Sequence, residues 1–290
     1  MRISKKGRED ILWWIDNIMS SFNHIRTGNP TLTITTDACF TGWGGTIGTN
    51  STHGLWHSEE IQPDTSDINI LELKAILFSL KALLHTQRDT HIKILSDNTT
   101  AVHSINNMGT CHSFPCHDIV LQIWDWAKDN NNWLTASHIP GKENIEADRL
   151  SRIRETSMEW KLDENIFQKV NRKFGFIPDI DLFATRINTQ LHTYASFLPD
   201  PEAQHINAFT LDWGKFGKIY CFPPFSIIGK VIRKFIADKA EGILITPNWQ
   251  TQYWYPLPLG ISKPYFLSST TRKKTQLCCT CRTRRTRSIQ

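Results

Sequence analysis

The sequence predicts an α/β protein of two consecutive domains, and three observations lead there. The chain has 290 residues, 40% of them hydrophobic and 21% charged, enough for about two cores at ~150 residues per domain. Between residues 31 and 152, β-rich runs alternate with helical periodicity. After a charged stretch at 153–170 a second strand–helix alternation begins, and it decays past about residue 260 into Ser, Thr, Lys, Arg and Cys.

Residues 11–22 read as a helix whose Trp13 and Trp14 need a partner surface. TLTITTD (31–37) is a β-rich run ending on an acid. The glycines of TGWGGTIG (41–48) punctuate the next run, and HGLWHS (53–58) gives a third, so three strands form a meander. ILELKAILFSLKALL (70–84) is helical, with Leu73, Ile76, Leu77, Leu80 and Leu84 on one apolar stripe. HIKILSD (91–97) is a strand that again ends on an acid, and NTTAVHSINN continues as a helix with good cap chemistry. DIVLQIWDWAKD (118–129) is an amphipathic helix, WLTASHIP (133–140) a strand and GKENIEADRLSR (141–152) a short closing helix. Antiparallel strands first and crossover-linked strands afterwards describe a mixed sheet. In the second half FQKVNRKF and IIGKVIRKFIADKA read as helices, and DIDLFA, KIYCF and GILITP as strands.

No run approaches ~18 apolar residues, so no ordinary transmembrane helix is expected. The polar start MRISKKGRED shows no signal peptide, which predicts a cytoplasmic or nuclear protein without a membrane partner. Seven cysteines, an odd and scattered set, read as reduced thiols. Cys111-His112 with Cys116-His117 and the tail CCTC lack paired CxxC spacing, so they read as loop and tail residues before zinc ligands. The net charge of +5 suggests a polyanion partner, yet residues 31–152 hold 8 Lys/Arg against 14 Asp/Glu, while 271–290 hold 7 against none. The basic excess is in the tail.

Four acids in the first half occupy unusual places. Asp37 and Asp97 end strands, Glu72 lies beside the apolar stripe with Ala75, Ile76 and Ser79 as helical neighbours, and Asp148 sits on the closing helix. Taken singly, a strand-end acid is a turn former or cap and a helical Glu is solvated. Their order along the chain points elsewhere. Adjacent strands would bring Asp37 and Asp97 together, and a helix on that face adds Glu72. Clustered carboxylates without nearby cations call for a hard divalent ion, Mg²⁺ or Mn²⁺. Two such ions ~4 Å apart activate water and stabilise the leaving oxygen of a phosphodiester.

TDACFTGWGGTIG, LELKAILFSL, ILSDN and HIPGKENIEADRLSR resemble, in order and type, the segments of type 1 ribonuclease H domains, specifically those of DIRS-type retrotransposon polyproteins. The resemblance covers residues 31–152. It implies a five-stranded sheet with helices on both faces and two Mg²⁺ (or Mn²⁺) held by Asp37, Glu72, Asp97 and Asp148. It also implies that His138 is the flexible-loop histidine that shuttles protons or assists product release, and that the substrate is an RNA–DNA hybrid. Between Asp97 and Asp148 the only cations are Lys128 and Lys142, so the basic protrusion of some members is missing. Gly42, Trp43 and Asn98 are then the candidate hybrid contacts, through a minor groove read by its 2′-hydroxyls.

DLFATRINTQLHTYASF, INAFTLDW and YCFPPFSIIGKVIRKF resemble the adenine-N6 methyltransferase-like domain that follows ribonuclease H in such elements and is related to phage DNA adenine methylases. The division is therefore 1–30, an N-terminal helix; 31–152, the nuclease-like domain; 153–260, the methyltransferase-like domain; and 261–290, a basic disordered tail. An amino-methyltransferase needs a polar residue before Pro-Pro-aromatic, with the aromatic stacking on the flipped base. Here the tetrapeptide is Phe222-Pro223-Pro224-Phe225: Phe225 can stack, and Phe222 offers no acceptor. With no glycine-rich loop either, S-adenosylmethionine is not expected to bind. Asp181, after an apolar strand, is a turn acid or a cofactor contact.

The resemblance also implies a reverse transcriptase as the usual partner in the same polyprotein. None fits ahead of residue 31, so the chain reads as a fragment or truncated gene, with Trp13 and Trp14 marking the lost connection or packing on the nuclease-like domain. The tail is native or frame-shifted; if native, it contacts nucleic acid, directs the chain to the nucleus or is merely solvated. The function expected is hybrid-directed RNA hydrolysis. The alternatives are a catalytically silent nucleic-acid-binding remnant and a DDE-type integrase or transposase.

Overall fold

A computed structural model describes residue 3, residues 5–20, 28–61, 67–154 and 160–257, and the short strands 266–267, 277–278 and 281–282. The first domain is a five-stranded sheet of β1 (Leu32–Ala38), β2 (Gly42–Ile47), β3 (Asn50–Leu55), β4 (His91–Ser96) and β5 (Trp133–His138) in the order β3-β2-β1-β4-β5. The first three strands form an antiparallel meander, and β4 and β5 join parallel, as the alternation predicts. The crossover from β3 to β4 runs through α2 (Ile68–Leu83), and that from β4 to β5 through α3 (Thr99–Asn106) and α4 (Phe114–Asp129). The chain then closes with α5 (Ile145–Ser151).

The helices start where side chains can replace missing backbone partners. Asp67 accepts from the Asn69 amide at the head of α2, Asn98 from Ala101 at α3, and Ser113 from Cys116 at α4. All five residues of the predicted α2 stripe are buried, against Ile34, Ile92 and Ile94 of the sheet and Val120 and Ile123 of α4. Strand β2 has helices against both faces. A Cβ on Gly45 would collide with Ser79 of α2, whereas one on Gly44 would stand 2.6 Å from the Leu150 Cβ of α5. Successive strand residues face opposite ways, so β2 is a bare backbone between two helices.

Ahead of the sheet, α1 (Lys5–Asn17) starts earlier than its apolar pattern, and Trp13 and Trp14 meet edge to face at 5.4 Å. Both rings are largely exposed, and Trp13 reaches the first domain through the Lys128 ammonium, 4.8 Å from its centroid.

In the second domain α6 (Glu164–Phe174) precedes the parallel strands β6 (Ile180–Asp181), β7 (Ile219–Cys221) and β8 (Glu241–Leu244), with α7 (Ile228–Ala237) between the last two. Ile219 and Cys221 pack with Val231, Ile232 and Phe235, while Tyr220 on the opposite face packs with Phe167 and Val170 of α6. The two domains are joined at the β3 edge. Arg186, 7% exposed, donates to Glu60 Oε2 at 2.8 Å and to the Leu55 carbonyl at 3.2 Å, and covers the Phe78 ring at 4.6 Å. Thr52 Oγ1 donates to the Pro199 carbonyl at 2.6 Å. Among the described residues no helix is long and apolar enough to cross a membrane. Of the tail, Cys281–Arg282 pairs antiparallel with the start of β8, and the 266–267 and 277–278 strands pair with each other; the expectation of disorder for the rest of 261–290 lies outside the described residues.

Candidate metal centre

Three of the four acids converge. Asp37 lies near the end of β1, Glu72 in the first turns of α2 and Asp97 just past β4, and one carboxylate oxygen from each lies within 4.8 Å of the others. The parallel pairing of β1 with β4 brings Asp37 and Asp97 side by side, and α2 adds Glu72 from above. Opposite Asp37 in the β1–β2 register stands Gly44, which has no side chain to crowd it.

These carboxylates are buried without enough partners. Asp37 is 5% and Glu72 4% exposed. Asp37 Oδ2 and Glu72 Oε2 have no hydrogen-bond partner. A buried charge left this way costs several kcal/mol, so an isolated acid protonates instead. Burial, reinforced by repulsion from Asp37 and Asp97, pushes Glu72 up to about 9. Burial, with Asp97 and Asp148 adding to it and Ser151 and Arg152 opposing, pushes Asp37 up to about 6. Orphaned, buried carboxylate oxygens converging on one point are the donor set a hard divalent cation fits. Asp37, Glu72 and Asp97 are the residues that would hold it.

Asp148 stands beside the triad and outside it. Both Nε and Nη2 of Arg152 donate to its Oδ1, at 2.9 and 2.6 Å. The sequence reading missed three residues on this side. Asn144, 1% exposed, donates from Nδ2 to the Thr36 carbonyl at 3.1 Å and to Asp37 Oδ1 at 3.3 Å. Ser151 Oγ donates to the Asp148 carbonyl at 2.9 Å, and Arg152 holds the Asp148 carboxylate. The available signal was spacing: Asn144, Asp148 and Arg152 follow one another at i, i+4.

His138 is exposed at the end of β5 and pairs in register with Ser96, the residue before Asp97. The loop after it passes close to the triad, and a Cβ on Gly141 would stand 3.1 Å from Asp97 Oδ2. The proposed hybrid contacts fare differently. Trp43 is buried at 2% exposure against Phe78, ring centroids 5.4 Å apart, so it is a core residue and offers no surface to a hybrid. Gly42 is likewise inside, where a Cβ would meet the Gly54 and Ser151 carbonyls. Asn98 uses both ends of its amide, accepting from Ala101 and donating to Asn69 Oδ1 at 2.9 Å, and so ties α3 to α2. A glycine-rich run with one Trp reads as a turn in sequence; α2 and α5 on both sides of β2 turn it inside.

In the second domain Phe225 stacks on Trp160 at 6.1 Å and meets Trp249 edge to face at 5.1 Å, so a base could stack there only by displacing a ring already in place. Asp181 is buried, and both its oxygens are used, Oδ1 accepting from the Phe183 amide and Oδ2 from Gln190. Burial still raises it to about 7, against those amides. Between the domains lies a cavity of about 370 Å³ bordered by Trp43, Leu55, Phe183, Phe209 and Lys230. Among the described residues its one lining carboxylate, Asp200, accepts from the Tyr194 hydroxyl and from the Arg186 and Glu202 amides.

Residues 151–260 match the family model described as DNA N-6-adenine-methyltransferase (Dam). Among solved structures, LC11-RNase H1 in complex with RNA/DNA hybrid aligns over 41% of this chain and 93% of its own, at 18% identity and a TM-score of 0.35. RNase H1 from the archaeon Halobacterium salinarum aligns over 41% and 92%, at 14% identity and a TM-score of 0.32. The N-terminal RNase H domain of a Mycobacterium tuberculosis protein aligns over 41% and 91%, at 12% identity and a TM-score of 0.33. No curated protein matches the chain.

Proposed function

We propose that the chain is a metal-dependent endonuclease that hydrolyses the RNA strand of RNA–DNA hybrids, leaving 3′-hydroxyl and 5′-phosphate ends, and that it belongs to a retrotransposon polyprotein alongside a reverse transcriptase. The observation that carries the reading is the triad of Asp37, Glu72 and Asp97 with two orphaned buried oxygens. Two Mg²⁺ or Mn²⁺ held by the triad and Asp148 would supply an activated water and charge stabilisation at the leaving oxygen. The chain's own residues do the rest. Asn144 orients Asp37 by a hydrogen bond, and Asp97 lies between β4 and the Gly141 loop. His138, exposed at the end of β5, shuttles protons or assists product release.

The second domain does not fit a working methyltransferase. Phe222 offers no acceptor for an amine, Asp181 spends both oxygens on backbone amides, and Asp200 is already engaged. Its reading is a degenerate methylase fold that packs on the nuclease-like domain through Arg186. Labelled S-adenosylmethionine with methyl transfer to DNA would sink that reading.

The test of the nuclease is a labelled hybrid incubated with the full chain in Mg²⁺ or EDTA, beside Asp97→Asn. Metal-dependent cutting that the substitution removes is expected. Absence of cutting in the wild type favours a silent nucleic-acid-binding remnant, and strand transfer on duplex DNA an integrase.

A further inference from the structure

The two arginines of the closing helix hold their acids in different ways. Arg149 grips Glu146 as a fork, Nε to Oε2 at 3.0 Å and Nη2 to Oε1 at 2.6 Å, one donor for each oxygen. That is the strong, geometrically matched arrangement of guanidinium and carboxylate. Arg152 places both donors on the single oxygen Oδ1 of Asp148 and makes no bond to Oδ2. The pair is also open to water, with side-chain exposures of 64% for Arg152 and 42% for Asp148. Such a contact is worth little in isolation and is readily exchanged.

Its position is what distinguishes it. Arg152 is the C-terminal cap of α5, one residue beyond Ser151, whose carbonyl accepts from Cys39 Sγ at 3.0 Å, two residues along the chain from Asp37. Its charge is felt by Asp37 and by Cys39, so the guanidinium lies at the rim of the acid cluster. Asp148 is the acid of the four that the triad does not include, and it is the one with an arginine partner. A divalent cation entering the triad attracts the Asp148 carboxylate and repels the guanidinium. The group set free has a planar fork that fits a phosphate as well as it fits a carboxylate.

We propose that Arg152 is a positioning residue that holds Asp148 aside from the metal centre, yields it to the incoming cation, and then takes a backbone phosphate of the nucleic acid. The inference rests on the metal-centre reading above. The exchange keeps the fourth acid from adding its charge to an already repulsive cluster until a cation arrives.

The experiment is calorimetric titration of Mn²⁺ into the full chain without nucleic acid, comparing wild type, Arg152→Gln and Arg149→Gln, with thermal melts to confirm folding. Loss of an exposed competing pair predicts Mn²⁺ binding roughly two- to five-fold tighter in Arg152→Gln, and no change in Arg149→Gln. A second arm measures hybrid binding in Ca²⁺ across a salt series. Arg152→Gln should bind more weakly, with a slope of log K against log salt shallower by roughly 0.9, one phosphate contact. Damage to the fold would weaken both metal and hybrid, so the opposite signs isolate the exchange. An unchanged or weaker Mn²⁺ affinity in Arg152→Gln, or an unchanged salt slope, overturns it. A wild type that takes up no Mn²⁺ overturns the metal centre and this inference together, whereas a wild type that binds while Arg152→Gln matches it overturns this inference alone.

Discussion

Asp37 and Asp181 each lie on the first β1-like strand of their domain, each is buried, and each is pushed well above the ordinary carboxylate range. They differ in what happens to their oxygens. Asp181 gives one to each of two backbone amides, organising the turn after its strand. Asp37 keeps an oxygen orphaned, facing Glu72, which does the same. Burial and a raised pKa are common to both, so neither marks a reactive site. What sets Asp37 apart is an unspent carboxylate oxygen that converges with those of Glu72 and Asp97, whereas the orphaned amide oxygens of Asn171 and Gln190 in the second domain belong to no such cluster.

The largest test of that contrast is activity. Asp37→Asn should lower metal-dependent hybrid cleavage by roughly 10²–10⁴-fold, several kcal/mol at 1.36 per decade, while Asp181→Asn leaves cleavage per folded molecule unchanged. Rates normalised to the folded fraction check this, and equal losses would erase the distinction. Next in size is the bridge between the domains. Arg186→Met leaves half-buried Glu60 with Lys74, 3.6 Å away, as its remaining cation and removes the bond to the Leu55 carbonyl; it should cost about 2–3 kcal/mol in chemical denaturation, and adding Glu60→Gln recovers part of the loss.

Stability of the metal-free chain should then move in opposite directions at the two acids. Glu72→Gln or Asp37→Asn removes an uncompensated acid and stabilises by about 1–3 kcal/mol, whereas Asp181→Asn loses an amide acceptor and destabilises by a similar amount. The pH dependence follows the same logic. Between 4.5 and about 9 the folded chain keeps a proton on Glu72 that the unfolded chain has released, and Asp37 does so between 3.8 and about 6. Folded molecules bind more protons there, so metal-free stability falls as pH rises across that window. Melting curves from pH 5 to 9 should show the fall, and Glu72→Gln should flatten it. The smallest effect is Asn98→Ala. Losing the α3 cap costs about 1 kcal/mol with no change in the salt dependence of hybrid binding, which would shift if Asn98 touched the substrate.

Much of the first domain was legible because its strands and α2 carry clean periodicity, and because strand-end acids stand out against apolar runs. Its sheet order followed from hairpin-length links first and helix-length links later. The status of Trp43 was not legible. Burial of β2 depends on α5, nearly a hundred residues on, and local composition gives only glycines. Arg186 was invisible for the same reason, since its partner Glu60 sits in the other domain. Asn144 and Arg152 could have been found from their helical spacing to Asp148, had that helix been read as a face with several members. Phe225 failed through tertiary neighbours, Trp160 and Trp249, that no local pattern announces.

The two glycines at the middle of β2 carry one more consequence. Glu72 rides on α2 and Asp148 on α5, and what separates those helices at Gly44 and Gly45 is one strand's backbone with nothing projecting from either side. That strand works as a shim: its thickness, a quantity no side chain can vary, sets how far apart the helix-borne acids stand. Any residue larger than glycine at either position pushes one helix outward and changes the gap between Glu72 and Asp148.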